Sequence, residues 1–272
     1  MPAVTAWQEV ADRIFVRRYD PFDVNVTVVA GSHGTLLIDT RTTLVEATEV
    51  REHLRELPVA APTAVVITHA HLDHCLGAGA FAGLPLWASD GCRGDLRRHG
   101  VAQRDRWLDW LPEEQHAHLR ASPIPVPDRP VTDRHRLDLG GRDVELLVPG
   151  RGHTDHDLVV HVPDAATVLA GDLVEVGAPP QFHDAYPFEW PATLARVEAL
   201  GAEVTVPGHG APADAATVST QQRELAHLAA LARELLGGIR GRDSVLSGSP
   251  FPPEATAIAL ERAAATGTGP AR

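Results

Sequence analysis

The sequence predicts an α/β domain in which helices and β-strands form packed layers. Residues 13 to 39 hold three short runs rich in β-branched residues, and turns that contain Gly or Pro separate them. The apolar spacing of residues 44 to 57 predicts a helix, which a proline closes. A strand is predicted directly after it, at residues 63 to 67. Strands that alternate with helices in this way are typical of layered α/β folds.

The rest of the chain continues the pattern. Residues 90 to 130 are helical and polar, and then proline-rich, so we interpret this segment as an insertion or a lid over the core. Its last part, residues 122 to 130, is too rich in proline for a helix or a strand. A long helix is predicted from 214 to 235, and the tail from Gly241, rich in Gly, Pro and Ala, is expected to be loosely ordered at its end. The other predicted elements are strands at 85–88, 144–148, 158–162, 167–170 and 204–206, a short helix that begins at 77–81 and a helix at 191–200.

Length and composition predict a main domain at residues 1–213, with a C-terminal helix and tail at 214–272 packed on the same domain. The net charge of −12 argues against nucleic acid as a partner, because binding to phosphates needs basic residues. No apolar run is long enough for a membrane span. The N-terminal residues do not resemble a secretory signal, and two cysteines do not suggest a disulfide framework. We therefore expect a cytoplasmic protein.

The strongest functional signal is the stretch from Thr68 to His74, which reads Thr-His-Ala-His-Leu-Asp-His. It follows the strand predicted at residues 63 to 67, so these side chains would lie in one loop at the rim of a sheet. His153, Asp172 and His209 also follow predicted strands and lie next to glycines, where the backbone can turn sharply. The combined set is His69, His71, Asp73, His74, His153, Asp172 and His209.

Imidazole and carboxylate groups are typical zinc ligands, and a catalytic zinc keeps one position open for water. Seven such groups exceed what one tetrahedral ion can bind, whereas two ions that share a carboxylate and a hydroxide can use all of them. The sequence therefore predicts two zinc ions per chain. Another divalent metal, such as iron or manganese, would suit the same ligands.

These motifs resemble the metallo-β-lactamase superfamily of hydrolases, and the match runs in order from residue 13 to 212. The resemblance implies a four-layer αβ/βα sandwich, with two mixed sheets face to face, helices outside and a C-terminal helical extension. It implies that His69, His71 and His153 hold one ion, that Asp73, His74 and His209 hold the second, and that Asp172 bridges both. The motifs that carry it are His69-x-His71-x-Asp73-His74, Gly152-His153-Thr154, Gly171-Asp172 and Pro207-Gly208-His209-Gly210.

The resemblance also implies hydrolysis. Two ions that share one water lower its pKa from about 15.7 to about 7, which supplies a hydroxide nucleophile. Asp73 would in addition orient this hydroxide, which makes it the predicted catalytic residue. We expect a small-molecule substrate with an ester, thioester, lactone or related bond. A homodimer is compatible with the sequence.

The residue at the bridging position separates branches of the superfamily. The true β-lactam hydrolases generally have Cys or Ser where this chain has Asp172, and they are usually exported. Glyoxalase II, lactonases and thioesterase-like members keep the Asp. Persulfide dioxygenases are an alternative, because they bind a single iron through two His and one Asp, here His69, His153 and Asp172. β-Lactam hydrolysis is a further alternative. A non-catalytic binding module is disfavoured, because buried ionisable clusters cost stability unless a metal compensates.

Four residues are predicted to contact the substrate. His183 and Tyr186 lie in the loop after Asp172, which would face the open side of the metals. Trp107 and Trp110 lie in the 90–130 segment, and packing in the core is the simpler explanation for both.

Overall fold

The computed structural model describes residues 6–109 and 111–267 of the chain. The strands of its first half are Gln8–Ala11 (β1), Ile14–Tyr19 (β2), Val24–Ala30 (β3), Thr35–Ile38 (β4), Ala64–Val66 (β5), Leu86–Ser89 (β6) and Arg129–Val131 (β7). Those of its second half are Arg134–Asp138 (β8), Asp143–Leu147 (β9), Val159–Val162 (β10), Thr167–Glu175 (β11), Val204–His209 (β12) and Ala213–Asp214 (β13). The α-helices are Leu44–His53 (α1), Leu72–Cys75 (α2), Asp90–Trp107 (α3), Glu113–Ala121 (α4), Trp190–Glu198 (α5), Ala215–Leu236 (α6), Arg242–Gly248 (α7) and Pro253–Thr266 (α8).

The strands form two mixed sheets that meet where His209 pairs with Val24. The first sheet has the order β7-β6-β5-β4-β3-β2-β1, with parallel pairs from β4 to β7 and antiparallel pairs elsewhere. The second has the order β8-β9-β10-β11-β12-β13, and only β11 and β12 run parallel in it. Both sheets therefore contain the strand ends from which the predicted ligands follow.

Three apolar layers hold the fold together. Side chains of both sheets, such as Val29 and Leu36 from the first and Val160 and Leu169 from the second, share one buried cluster. The outer face of the first sheet packs against α1 to α4, and that of the second against α5, α6 and α8. Burying one Val or Leu side chain contributes about 1.5–3 kcal/mol, so these layers dominate the stability of the fold. The predicted αβ/βα sandwich is confirmed.

The strands differ from the sequence-based prediction in several places: β1, β8 and β13 are not predicted, and two further differences concern β7 and β11. The proline-rich stretch ends in a strand, β7, which pairs in parallel with β6. Pro130 is tolerated there because β7 is the edge strand of its sheet. Strand β11 does not stop at Ala170 but continues to Glu175, and its register against β12 shifts around Gly171, whose φ is +54°. Asp172 thus projects from an irregular strand rather than from a loop.

The C-terminal region is more ordered than the sequence pattern predicts. Helices α7 and α8 follow Gly241, where the sequence pattern indicates only a tail that is loosely ordered at its end, and they pack against α6. Val245 of α7, Leu260 of α8 and Leu231 of α6 belong to one buried cluster. Neither short helix would be stable alone, because helices of this length depend on tertiary packing. Their stability therefore cannot be predicted from the local sequence.

The segment from 90 to 130 packs on the outside of the first sheet. Cys92, Leu96 and Leu119 bury their side chains in the cluster beneath it. Whether the segment moves as a lid stays a prediction, and Trp110 lies outside the described residues. Within the described part of the chain, no helix has the length and apolar character needed to cross a membrane.

Candidate metal centre

All seven predicted ligands come together in two adjacent groups. The first group is His69, His71, His153 and Asp172, and the second group is Asp73, His74 and His209. Within each group the potential ligand atoms lie within 4.8 Å of one another. The resemblance implies the same division for the other six residues, and it implies that Asp172 bridges both groups rather than belonging to the first alone. The two groups receive their side chains from the loop after β5, helix α2, the loop between β9 and β10, strand β11 and the end of β12, so Asp73 and His74 lie in a short helix rather than in the predicted loop.

Asp172 touches both groups. Its Oδ1 lies 3.2 Å from Nε2 of His74, and its Oδ2 lies 3.4 Å from Nε2 of His209, both in the second group. The same Oδ2 lies 3.5 Å from Nε2 of His153 and 3.7 Å from Nε2 of His69, both in the first group. A carboxylate in this position can join two ions, as the sequence predicts for it.

Two histidines of the second group are oriented by hydrogen bonds at Nδ1. His74 donates its Nδ1–H to Oδ2 of the buried Asp39, at 2.8 Å. His209 donates its Nδ1–H to the carbonyl oxygen of Phe22, at 2.7 Å. Their Nε2 atoms lie only 3.1 Å apart, on the side of the ring that faces the cluster. In metal sites, a hydrogen bond from the ring nitrogen that faces away from the metal, here Nδ1, sets the tautomer of the histidine and leaves the other nitrogen to bind the metal.

Asp39 connects this arrangement to the first group. It accepts hydrogen bonds from both the backbone N–H and the hydroxyl of Thr68, at 2.9 and 2.8 Å. The Thr68 oxygen lies 3.1 Å from Nδ1 of His69, from which it can accept a hydrogen bond. Nε2 of His69 is then left for a ligand. Asp39 therefore holds one histidine of each group, through one direct and one relayed contact.

His71 is oriented from the opposite side. Its Nε2 donates to Oδ2 of Asp184 at 3.1 Å, and its Nδ1 lies 3.0 Å from Nε2 of His153. His71 thus turns Nδ1 toward the cluster, whereas His74 and His209 turn Nε2 toward it. Asp184 lies in the loop between β11 and α5, and 58% of its side chain is exposed.

Two of the three histidines of the first group, His69 and His153, are neutral when no metal is bound. Burial lowers the pKa of His69 well below its usual value, and neighbouring histidines add to this effect. Burial also lowers the pKa of His153 to about 3. Neutral imidazoles have a free lone pair, which is the form that binds metal ions. The third histidine differs: burial opposes protonation of His71, but the hydrogen bond to Asp184 and the nearby carboxylates outweigh it and raise the pKa of His71.

The second group holds protons when no metal is bound. Burial favours neutral His74, but the carboxylates of Asp172 and Asp73 outweigh it and raise the pKa of His74 well above its usual value. Burial also opposes protonation of His209, whose pKa the same two carboxylates raise to about 12. The two aspartates thus favour positive charge between them, and a bound cation would supply it in place of the protons.

The polar atoms of the site fit a metal. Among the described residues, Nε2 of His69 and Oδ1 of Asp172 are buried side-chain atoms without a hydrogen-bond partner. A buried polar atom without a partner costs about 1–3 kcal/mol, so such atoms need an explanation. Both belong to the ligand set, and a divalent ion with nitrogen and oxygen ligands would satisfy both.

A cavity of about 410 Å³ opens beside the first group, and we call it the His71 cavity. Tyr186, a predicted substrate contact, lines it. The remaining lining residues are His71, Asp95, His99, Ala102, Gln103, Arg106, Thr154, Asp155, His156, Asp184 and Arg262. Helix α3 of the 90–130 segment thus forms one of its walls.

The other predicted substrate contacts lie elsewhere. His183 is exposed and is not part of the cavity wall. Trp107 packs edge to face against Phe22, with ring centroids 5.4 Å apart, and is partly buried against the core. Phe22 in turn contacts His209 through its carbonyl oxygen, so Trp107 lies on the side of the second group. Substrate contact by these residues stays a prediction.

Asp39 and Asp184 are the site residues that the sequence patterns do not reveal. Asp39 directly follows β4, much as the predicted ligands lie at or near the ends of predicted strands. That position is a signal, but no motif distinguishes it from an ordinary turn. Asp184 stands beside His183 in a loop without regular spacing.

The fold and the clustered side chains define an αβ/βα sandwich with two adjacent groups of residues that could hold metal ions. The model of the metallo-beta-lactamase superfamily matches residues 19–209, and the chain belongs to this superfamily of metallo-hydrolases. Two relatives named metallo-beta-lactamase type 2, from Bacillus sp. (strain 170) and Bacillus cereus, are each 26% identical over 196 residues, which cover 70% of this chain and 68% of the relative. The solved metallo-beta-lactamase from Pontibacter korlensis has the same fold, with a TM-score of 0.67 and 21% identity over 81% of this chain and 98% of that chain.

Proposed function

We propose that this protein hydrolyses an ester, thioester or lactone of a small molecule with two metal ions, for which zinc suits the ligands best. The observation that carries the proposal is the position of Asp172 between the two groups, with oxygens 3.2 Å from His74 and 3.5 Å from His153. In an enzyme with a single ion, the residues of the second group would have no metal to bind. Their buried charges would then cost stability without compensation.

The chemistry divides between the ions and the chain. Bound at these two groups, divalent ions would lower the pKa of a water to about 7 and polarise the oxygen of the scissile bond. Asp73 turns Oδ2 toward Nε2 of His209 at 3.3 Å and Nε2 of His74 at 3.6 Å. Burial opposes its ionisation, yet these histidines lower the pKa of Asp73 to about 2 in the metal-free protein. Its second oxygen can therefore accept a hydrogen bond from the attacking water and orient it.

The His71 cavity is the proposed substrate site. Its volume of about 410 Å³ suits a small molecule, and it adjoins the first group directly through His71. The Tyr186 hydroxyl at its wall donates to Oδ2 of Asp155 at 3.4 Å, so its oxygen would accept a hydrogen bond from a polar substrate atom. The edge formed by Phe22 and Trp107 beside His209 would contact an apolar part of the substrate.

The proposal is tested with a panel of thioesters, lactones and esters, using protein purified without added metal and then loaded with zinc. We expect hydrolysis of at least one member, its loss on exhaustive chelation and its recovery with zinc. Asp73→Asn should lower kcat by about 100-fold or more, because it removes the group that orients the water. Full turnover after chelation, or no hydrolysis of any member by the zinc-loaded protein, would refute the proposal.

β-Lactam hydrolysis is the second candidate, because both Bacillus relatives are named metallo-beta-lactamases. It ranks second because the true β-lactam hydrolases generally have Cys or Ser at the position of Asp172. A chromogenic cephalosporin in the same panel separates the two candidates. A kcat/KM for this compound above that for every thioester, lactone and ester would reverse their order.

A further inference from the structure

Side-chain hydrogen bonds connect the C-terminal helix α8 with the first group through the loop between β11 and α5. Arg262 of α8 donates from Nη2 to the carbonyl oxygen of Asp184 at 3.1 Å and from Nε to that of Ala185 at 3.2 Å. Its guanidinium also lies over the ring of Tyr186, 5.8 Å from the centroid. Three consecutive residues of the loop between β11 and α5 thus contact one arginine. The side chain of Asp184 in turn accepts a hydrogen bond from His71.

We propose that Asp184 is a positioning residue for the metal ligand His71, and that Arg262 holds Asp184 in place from the C-terminal extension. The inference rests on the proposed metal-dependent function and adds a role for a part of the chain that the family model does not cover, since its match ends at residue 209. Asp184 would serve the first group as Asp39 serves the second, by accepting the proton of the outer ring nitrogen.

The two carboxylates differ in a way that makes Arg262 necessary. Asp39 is 2% exposed and is fixed by two hydrogen bonds from Thr68. Asp184 is 58% exposed at its side chain and, among the described residues, its carboxylate contacts only His71. Its position is therefore determined by the backbone of its loop. Arg262 fixes that backbone by binding two successive carbonyl oxygens.

The physical consequence is specific to one group. The His71 ring can rotate when Nε2 has no acceptor, and Nδ1 then no longer faces His153. A carboxylate partner also makes the opposite nitrogen a stronger ligand, and the loss of such partners typically lowers metal affinity by about 10- to 100-fold. The second group does not contact Asp184, so its affinity should stay the same.

Zinc affinity measured by competition with a chromophoric chelator tests the proposal in the full-length chain. His209→Ala impairs the second group and leaves the first group to be measured, and His153→Ala does the reverse. Asp184→Ala should weaken zinc binding by about 10- to 100-fold in the His209→Ala background and leave it unchanged in the His153→Ala background. Arg262→Gln should act in the same direction, and it should have no further effect once Asp184 is Ala. Asp184→Glu should recover part of the loss.

The exposed ion pair between Glu234 and Arg240 provides matched controls in the same C-terminal extension. Glu234→Gln and Arg240→Gln should leave zinc affinity unchanged. Wild-type affinity of Asp184→Ala in a chain that binds two zinc ions would overturn the positioning role but not the proposed function. Equal losses at both groups, together with a lower melting temperature, would show a structural role and also overturn it. A wild-type chain that binds no zinc would refute the proposed function itself.

Discussion

Gly208 packs directly against the carboxylate of Asp172. A Cβ atom at position 208 would lie 1.7 Å from Oδ1 and 2.9 Å from the carboxyl carbon of Asp172, which is closer than any non-bonded contact allows. The Pro-Gly-His-Gly motif thus has a physical reason beyond its histidine. The strand that supplies His209 must also leave space for the carboxylate that joins the two groups.

Gly208→Ala should displace Asp172 while the fold is kept, because Oδ1 belongs to a side chain that can rotate. We expect metal affinity and hydrolysis to fall by about 10- to 100-fold, the range for disturbed metal surroundings. Elemental analysis and steady-state kinetics measure both effects. Gly248→Ala is the matched control, because a Cβ there meets no atom within 4 Å. Equal metal content in both variants would contradict this explanation.

Asp39→Ala should destabilise the protein. The substitution leaves the N–H and hydroxyl of Thr68 and Nδ1–H of His74 without their acceptor. One buried unsatisfied donor costs about 1–3 kcal/mol, so the free energy of unfolding should fall by at least this amount. Asp39→Asn should cost less, because Asn keeps an acceptor and tolerates the φ of +61° at this position. Denaturant unfolding measures both, and equal stability of the alanine variant and the wild type would refute the role of Asp39.

Zinc binding should release protons. Although burial opposes it, Asp172 and Asp73 raise the pKa of His209 to about 12 in the metal-free protein. Because this pKa lies above the unfolded value of about 6.5, the stabilisation from the bound proton is complete below about pH 6.5 and is lost as the pH rises toward 12. Zinc must displace this proton, so its apparent affinity should increase as the pH rises.

Calorimetric titration with zinc in buffers of different ionisation enthalpy counts the released protons. At pH 7 we expect about one proton or more for the ion at the second group. His209→Ala should reduce the number, because it removes one of the protonated imidazoles. Zinc binding without proton release would show that the second group carries no proton to displace.

Metal removal should lower the stability of the whole domain. The ligands come from both sheets, so ions that bind only the folded chain stabilise it as a unit. A free zinc concentration 1,000 times Kd would stabilise by about 4 kcal/mol for each site. Thermal unfolding with and without a chelator measures this difference. A melting temperature unaffected by chelation would show that the fold does not depend on the ions.

The clustering of the seven side chains could be predicted from the sequence because each of them lies in a short local pattern, in or near the end of a strand. Asp39 and Asp184 could not, because their contacts join residues far apart in the chain. Asp39 is 35 positions from His74, and Asp184 is 113 positions from His71. Only the folded chain shows which carboxylate faces which imidazole.

The layers of the fold were also predictable, whereas several elements were not. Strand β7 contains Pro130, which argues against a strand until its edge position is known. Strand β11 contains Gly171, and a glycine at this position predicts the end of a strand. In the structure, Gly171 lies at the shift in register next to Asp172, and the strand continues. Helices α7 and α8 depend on packing against α6. A local sequence pattern does not show such tertiary contacts, so these helices could not be predicted from it.

The central claim is that Asp172 joins two metal-binding groups in one site. The most direct measurement is the number of zinc ions bound per chain, determined by elemental analysis after saturation with zinc and removal of the free ion. The wild-type chain is expected to bind two zinc ions. One ion per chain, or none, would contradict the account.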